Sequence, residues 1–201
     1  DIGALMDANA LPPTPVFLDS PLAIRATRVF QAHAAELEEK DFERLVVRNP
    51  HFRFVESAED SIGLARIAGN AVILAASGMC EAGRIRHHLR NNLGHPRNTI
   101  LMVGFCAPNT LGRALADGIN PVAIFGEKCD VKARVEVMDA FSAHADQSEL
   151  LDLVGRSTGS MRKIVLVHGQ EDQMQSLAAR LRPIRPGSEI LMPNLGDSLE
   201  W

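Results

Sequence analysis

Over residues 14–119, short aliphatic runs alternate with longer stretches of helical spacing, and this alternation restricts what the chain can fold into more than any other feature. "PVFL" (15–18), "HFRFVE" (51–56), "AVILAAS" (71–77) and "NTILMVG" (98–104) have the length and the β-branched or aromatic content of strands. Between them lie helix-spaced stretches. One covers 21–39, with Ser20 as N-cap and Pro21 at the first helical position; others cover 57–68, opened by "SAED", then 83–93 and 110–118. Strands and helices in this order predict an α/β fold with a doubly wound, mainly parallel sheet. "AVILAAS" and "NTILMVG" are aliphatic almost throughout, which predicts burial on both faces.

From Pro121 the pattern changes. "PVAIFG" and "KARVEVMDAF" read as longer strands of alternating character, followed by a helix, the strand "KIVLVH", a further helix and a last strand "EILMP". A boundary is therefore expected near residue 119. "DIGALMDANALPP" (1–13) shows no period and ends in two prolines, so it reads as a lead-in or linker to domains at 14–119 and 120–201.

With 201 residues, 46% of them hydrophobic, the chain can bury a real core. No apolar run reaches the roughly 18 residues that a membrane span needs, and no basic flank precedes a hydrophobic stretch at the N-terminus. Neither export nor a membrane partner is expected. Three cysteines at wide spacing, Cys80, Cys106 and Cys129, suit neither a disulfide framework nor a Cys-x-x-Cys zinc clip, and a reducing cytoplasm is the expected setting. Twenty-one basic against 25 acidic residues give a formal charge of −4, so any contact with nucleic acid has to come from a local basic pocket.

Two histidines stand where a strand-like run gives way to a helix-like run: His144 in "FSAHADQSELLDLV" and His168 in "KIVLVHGQEDQM". Carboxyl ends of strands in α/β sheets present side chains to ligands, so each imidazole is either a zinc ligand, a proton donor or a hydrogen-bonded core residue. In "AASGMCEAGRIRHHL" (75–89), Ser77 and Gly78 follow a strand and precede a helix, where backbone N–H groups suit a phosphate. Arg84, His87 and His88 are spaced i, i+3, i+4, which puts them on nearly one helix face; a glycine turn before a solvated basic helix is the alternative. Asp19 in "FLDSPLA" either caps the helix or faces the same crevice, and capping or turn stabilisation is the expected role. Neither Cys80 nor Cys106 has a base near it in sequence, so no thiol nucleophile is assigned. The residues thus point to an anion-binding crevice with two histidines near it, without naming a reaction.

Taken together and in order, "FLDSPLA", "LAASGMCEAGRIRHHL", "ILMVGFCAPNTLGRAL", "FSAHADQSELL" and "IVLVHGQEDQM" resemble the β-CASP branch of the metallo-β-lactamase superfamily across nearly the whole chain. That branch includes the pre-mRNA 3′-end processing endonuclease and its bacterial and archaeal ribonuclease relatives. The resemblance implies a two-zinc hydrolase cutting phosphodiester bonds, most often in RNA. By that resemblance His144 protonates the leaving oxygen or holds the scissile phosphate, and His168 is a zinc ligand. By the same resemblance Ser77, Gly78 and Met79 form a wall of the substrate cleft; Arg84 and His87, from their place on the helix after that turn, are expected as further phosphate contacts.

The family's H-x-H-x-D-H cluster is absent from these residues. The chain therefore resembles the C-terminal part of such an enzyme: a β-CASP domain at 14–119 and, at 120–201, the segment that completes a metallo-β-lactamase αββα fold. Zinc is expected as two ions in the complete enzyme, and absent or weakly held by this chain, which alone is expected to be inactive. Expected partners are single-stranded RNA, bound through its backbone, and an N-terminal metallo-β-lactamase segment; a homodimer is compatible. The alternative function is a non-catalytic nucleic-acid-binding or assembly module.

Overall fold

A computed structural model describes residues 1–37, 41–67, 69–138, 140–141 and 144–199. The chain divides into two compact units, Asp1–Phe141 and Ser142–Trp201. Strands in both are mainly parallel, as the strand–helix alternation predicts for an α/β fold.

The first unit opens with a helix, not with an irregular lead-in. Helix α1 (Ile2–Asp7) buries Met6, and a Cβ added to Gly3 would lie 2.3 Å from the Leu45 carbonyl oxygen, so glycine is needed for this close approach. Its dock is a single π-helical turn, Glu43–Val47, whose Arg44 pairs with Asp7. Six residues are too few to show a period in sequence, and tertiary contact supplies the stability that an isolated helix of that length lacks.

Strand β1 (Val16–Leu18) lies at the centre of a parallel sheet, flanked by β2 (Phe52–Phe54) and β3 (Val72–Leu74). Helix α2 (Pro21–Ala32) starts where expected, Ser20 Oγ accepting from the Ala23 N–H at 3.3 Å, and is followed by a short 3₁₀ turn, Ala34–Glu36. Residues 38 and 39, the last that the helical spacing covers, lie outside the described residues. Helix α3 (Ala58–Gly63) is capped by Ser57, whose Oγ accepts from the Asp60 N–H at 2.9 Å. Phe17, Val55 and Leu64 form a small core beside this sheet.

A second core joins helix α4 (Ile85–Asn92), strand β4 (Thr99–Val103) and helix α5 (Leu111–Ala116) to a two-residue hairpin, β5 (Val122–Ile124) and β6 (Glu127–Cys129). Cys80, Leu89, Leu93, Met102, Cys106, Leu115, Val122 and Ile124 are its buried members. Strand β7 (Arg134–Met138) runs parallel to β4 over five residues. Residue 119 therefore lies inside the first unit, because Val122, Ile124 and β7 pack onto elements that precede it. Neither aliphatic strand is buried on both faces: β3 is half-buried, and Leu101 and Val103 of β4 are about half exposed while Met102 between them is buried. Among the described residues β4 pairs only with β7, so this two-stranded sheet has one covered face. "PVAIFG", expected as a long strand, reverses after three residues at Phe125-Gly126.

The second unit contains helix α6 (Gln147–Arg156), strand β8 (Lys163–Val165), helix α7 (Glu171–Ile184) and strand β9 (Glu189–Leu191), with β8 and β9 parallel. Asp146 and Glu149 cap α6 reciprocally: Asp146 Oδ1 accepts from the Glu149 N–H at 2.9 Å, and Glu149 Oε2 from the Asp146 N–H at 2.8 Å. Arg185 donates to the carbonyls of Val154, Gly155 and Ser157, tying the end of α7 to the end of α6. No described helix is long and apolar enough to cross a membrane.

Candidate functional site

The Ser77-Gly78-Met79 turn follows β3 and is held on three sides. Ser77 N–H donates to Ala82 O at 3.3 Å, Gly112 N–H to Met79 O at 2.9 Å, and Leu111 N–H to the Glu81 carboxylate at 2.5 Å. The N–H groups of Gly78 and Met79 have no partner among the described residues, and a Cβ on Gly78 would meet open space. Gly83 closes the loop at φ 79°, where a Cβ would lie 2.6 Å from Ala76 O. Gly83→Ala thus meets both a backbone clash and a left-handed conformation. It is expected to lower stability by about 1–3 kcal/mol, read from chemical denaturation; an unchanged midpoint would show that the turn has another conformation.

Asp19 was expected as a helix cap or turn residue, yet Ser20 does the capping and Asp19 is fully buried. Arg84 Nη1 donates to its Oδ1 at 2.6 Å, and Ser61 Oγ donates to its Oδ2 at 2.6 Å. His88 Nε2 lies 2.5 Å from Oδ2; an ionised carboxylate only accepts, so this nitrogen carries the proton. Desolvation pushes the Asp19 carboxyl up, but the hydrogen bonds from Ser61, His88 and Arg84 outweigh it and hold its pKa below the ordinary aspartate value.

This network corrects two expectations. Arg84 was expected at a phosphate, but its guanidinium also donates to Val55 O and Glu56 O, both at 2.8 Å, so these donors are engaged within the first unit. The expected common face of Arg84, His87 and His88 also divides. Arg84 and His88, at i and i+4, converge on Asp19, whereas exposed His87 lies against Phe125 with ring centroids 4.8 Å apart. One residue is about 100° of helix, which suffices for the split. The signal for the hub was present, as an i, i+4 Arg–His pair and an aspartate whose neighbouring serine already caps the helix; the separation of 65 positions between Asp19 and Arg84 concealed it.

In the second unit, His144 is exposed and stands two residues before the N-cap of α6. His168 is exposed three residues past β8, with φ 66°. A non-glycine residue in the left-handed region is uncommon, and such strain concentrates at functional positions. Among the described residues no group of three or more His, Cys, Asp or Glu side chains is arranged to hold a metal ion, so the donors present do not by themselves make a zinc site. None of Cys80, Cys106 and Cys129 forms a disulfide; burial, with lesser contributions from Cys106 and Glu81, pushes the Cys80 thiol up to about 11, which suits a packing residue.

Comparison with known proteins adds two family matches: a Beta-Casp domain over residues 2–115, and a Zn-dependent metallo-hydrolase RNA specificity domain over 128–193. Similar relatives include "Ribonuclease TTHA0252" of Thermus thermophilus, 36% identical over 95% of this chain and 44% of the relative. "Transcription termination factor FttA" of Cenarchaeum symbiosum is 29% identical over 88% of this chain and 29% of its own length. "Endoribonuclease ysh1" of Schizosaccharomyces pombe is 32% identical over 83% and 22% respectively. The chain spans less than half the length of each of these relatives.

Proposed function

Because this chain belongs to the β-CASP family of metallo-hydrolases, we propose that it serves an RNA-cleaving enzyme, supplying the substrate clamp and two of the active-site histidines. The observation that carries the reading is His168. It is exposed just past a strand end in a strained left-handed conformation, inside the segment that matches the RNA specificity domain. His168 is read as one zinc ligand. The companion donors, including an H-x-H-x-D-H cluster, are assigned to polypeptide outside these 201 residues, and no zinc-dependent step is assigned to this chain alone.

The roles of this chain's own residues follow. The Gly78 and Met79 N–H groups, unpartnered among the described residues, and Ser77 beside them face a phosphate of the substrate backbone. Arg84 keeps that turn in place through Asp19, while His87 remains available to RNA. His144 gives a proton to the leaving oxygen. Binding through phosphates predicts weak sequence preference, and single-stranded RNA in the cytoplasm is the proposed substrate setting.

The test is His144→Ala in the whole protein, by single-turnover cleavage and metal analysis. General-acid loss slows cleavage by about 10²–10⁴-fold with metal content unchanged. An unchanged rate would remove His144 from the reaction, and simultaneous loss of metal would move it into the ligand set.

A further inference from the structure

The turn between β5 and β6 has a residue that its backbone disfavours. Phe125 and Gly126 have φ 53° and 82°, the two positive values of a two-residue hairpin turn that prefers Asn-Gly or Asp-Gly. A bulky aromatic at the first position is a strained choice. The core does not require it: Val122 and Ile124 on the same strand are 3% and 0% exposed, whereas Phe125 is 40% exposed.

What the ring does is stack. The Arg86 guanidinium lies 4.3 Å from its centroid, and the His87 imidazole 4.8 Å from it at a 37° tilt. An Arg90–Glu127 pair at 2.7 Å fastens the hairpin tip to α4 beside them. Phe125 and His87 are exposed and Arg86 is half-exposed, so two aromatic rings and a guanidinium meet in solvent where the hairpin turn reaches the helix that follows the Ser77-Gly78-Met79 turn.

We propose that Phe125, with Arg86 and His87, is a stacking platform for a base of single-stranded RNA. The proposal rests on the RNA reading above and adds to it a contact to a base, where the Ser77-Gly78-Met79 turn offers contacts to phosphate. Stacking accepts any base, because every base has a π face, so the platform adds affinity without adding sequence preference. Arg86 brings a positive charge to the same spot, suited to the phosphate beside the stacked base.

The experiment uses the whole protein, a short single-stranded RNA and an abasic ribose-phosphate oligomer of equal length, with affinities read by fluorescence polarisation. Phe125→Asn, a residue the turn prefers, should weaken RNA binding about five- to hundredfold and leave the abasic oligomer unaffected. Phe125→Trp should bind RNA as the unaltered protein does. Unchanged RNA affinity in Phe125→Asn, or an equal loss on both oligomers, would overturn the platform; a lowered thermal midpoint with intact RNA binding would assign Phe125 to the fold alone. Unaltered protein that binds neither oligomer would overturn the RNA reading and the platform with it, whereas failure of the platform alone leaves that reading standing.

Discussion

Asp19→Ala is expected to lower stability by about 3–5 kcal/mol, because removing one member of a buried ion pair leaves the Arg84 guanidinium without its counter-ion. For a protein of this size that is a fall of about 6–20 °C in the thermal midpoint. The carboxylate is fully buried, and the Arg84 and His88 side chains facing it are only 19% and 9% exposed, so water can replace little of what is lost. Asp19→Asn keeps the shape and one acceptor and should lose less, about 1.5–3 kcal/mol, the worth of hydrogen bonds to a charged group. The pH dependence distinguishes this hub from a cap. Its folded pKa lies below its unfolded value, so the stabilisation is fully present above about pH 4, the unfolded pKa, and is lost as pH falls through the folded value. The difference between native protein and Asp19→Asn should therefore narrow steadily in urea titrations taken below pH 4. A constant difference down to pH 2, or a midpoint unmoved by Asp19→Ala, would show that the carboxylate does not hold Arg84 and His88.

That hub illustrates how far this sequence can be read. Strands β1, β2 and β3 were legible because short aliphatic or aromatic runs sit between capping residues, and Ser20 and Ser57 cap as their positions predict. The positions of His144 and His168 beyond strand-like runs were legible for the same reason. What escaped depends on contacts between residues distant in sequence. Helix α1 is held by Leu45 and Arg44, and nothing in six residues announces that. β4 reads as doubly buried from its aliphatic content, but burial depends on how many neighbours a strand finds, and β7 is its one partner among the described residues. Arg84 reads as a phosphate ligand from its place after a glycine turn; its engagement by Asp19, Val55 and Glu56 is a property of the folded core. Local chemistry was visible, and the internal partners that neutralise it were not.

His168 combines a left-handed backbone with an exposed imidazole, and that combination puts the ligand role to its sharpest test. Its φ of 66° disfavours any residue with a Cβ, by about 1–2 kcal/mol. Its imidazole is exposed, so little burial offsets the strain. Glycine relieves the strain and removes the imidazole, so His168→Gly should hold or raise stability, by up to about 1 kcal/mol, while abolishing activity. Loss of an outer-sphere partner of a metal ligand already lowers activity or affinity about 10–100-fold, so loss of a ligand should cost the whole protein at least about 100-fold in ribonuclease rate. His168→Ala should lose as much activity with no gain in stability, because alanine keeps the Cβ. Rates, bound metal and thermal midpoints of the two variants together decide the matter. If both variants keep their nuclease rate, the imidazole is no ligand; if glycine lowers the midpoint as far as alanine does, the left-handed conformation is not the source of strain, and His168 is held in place by packing.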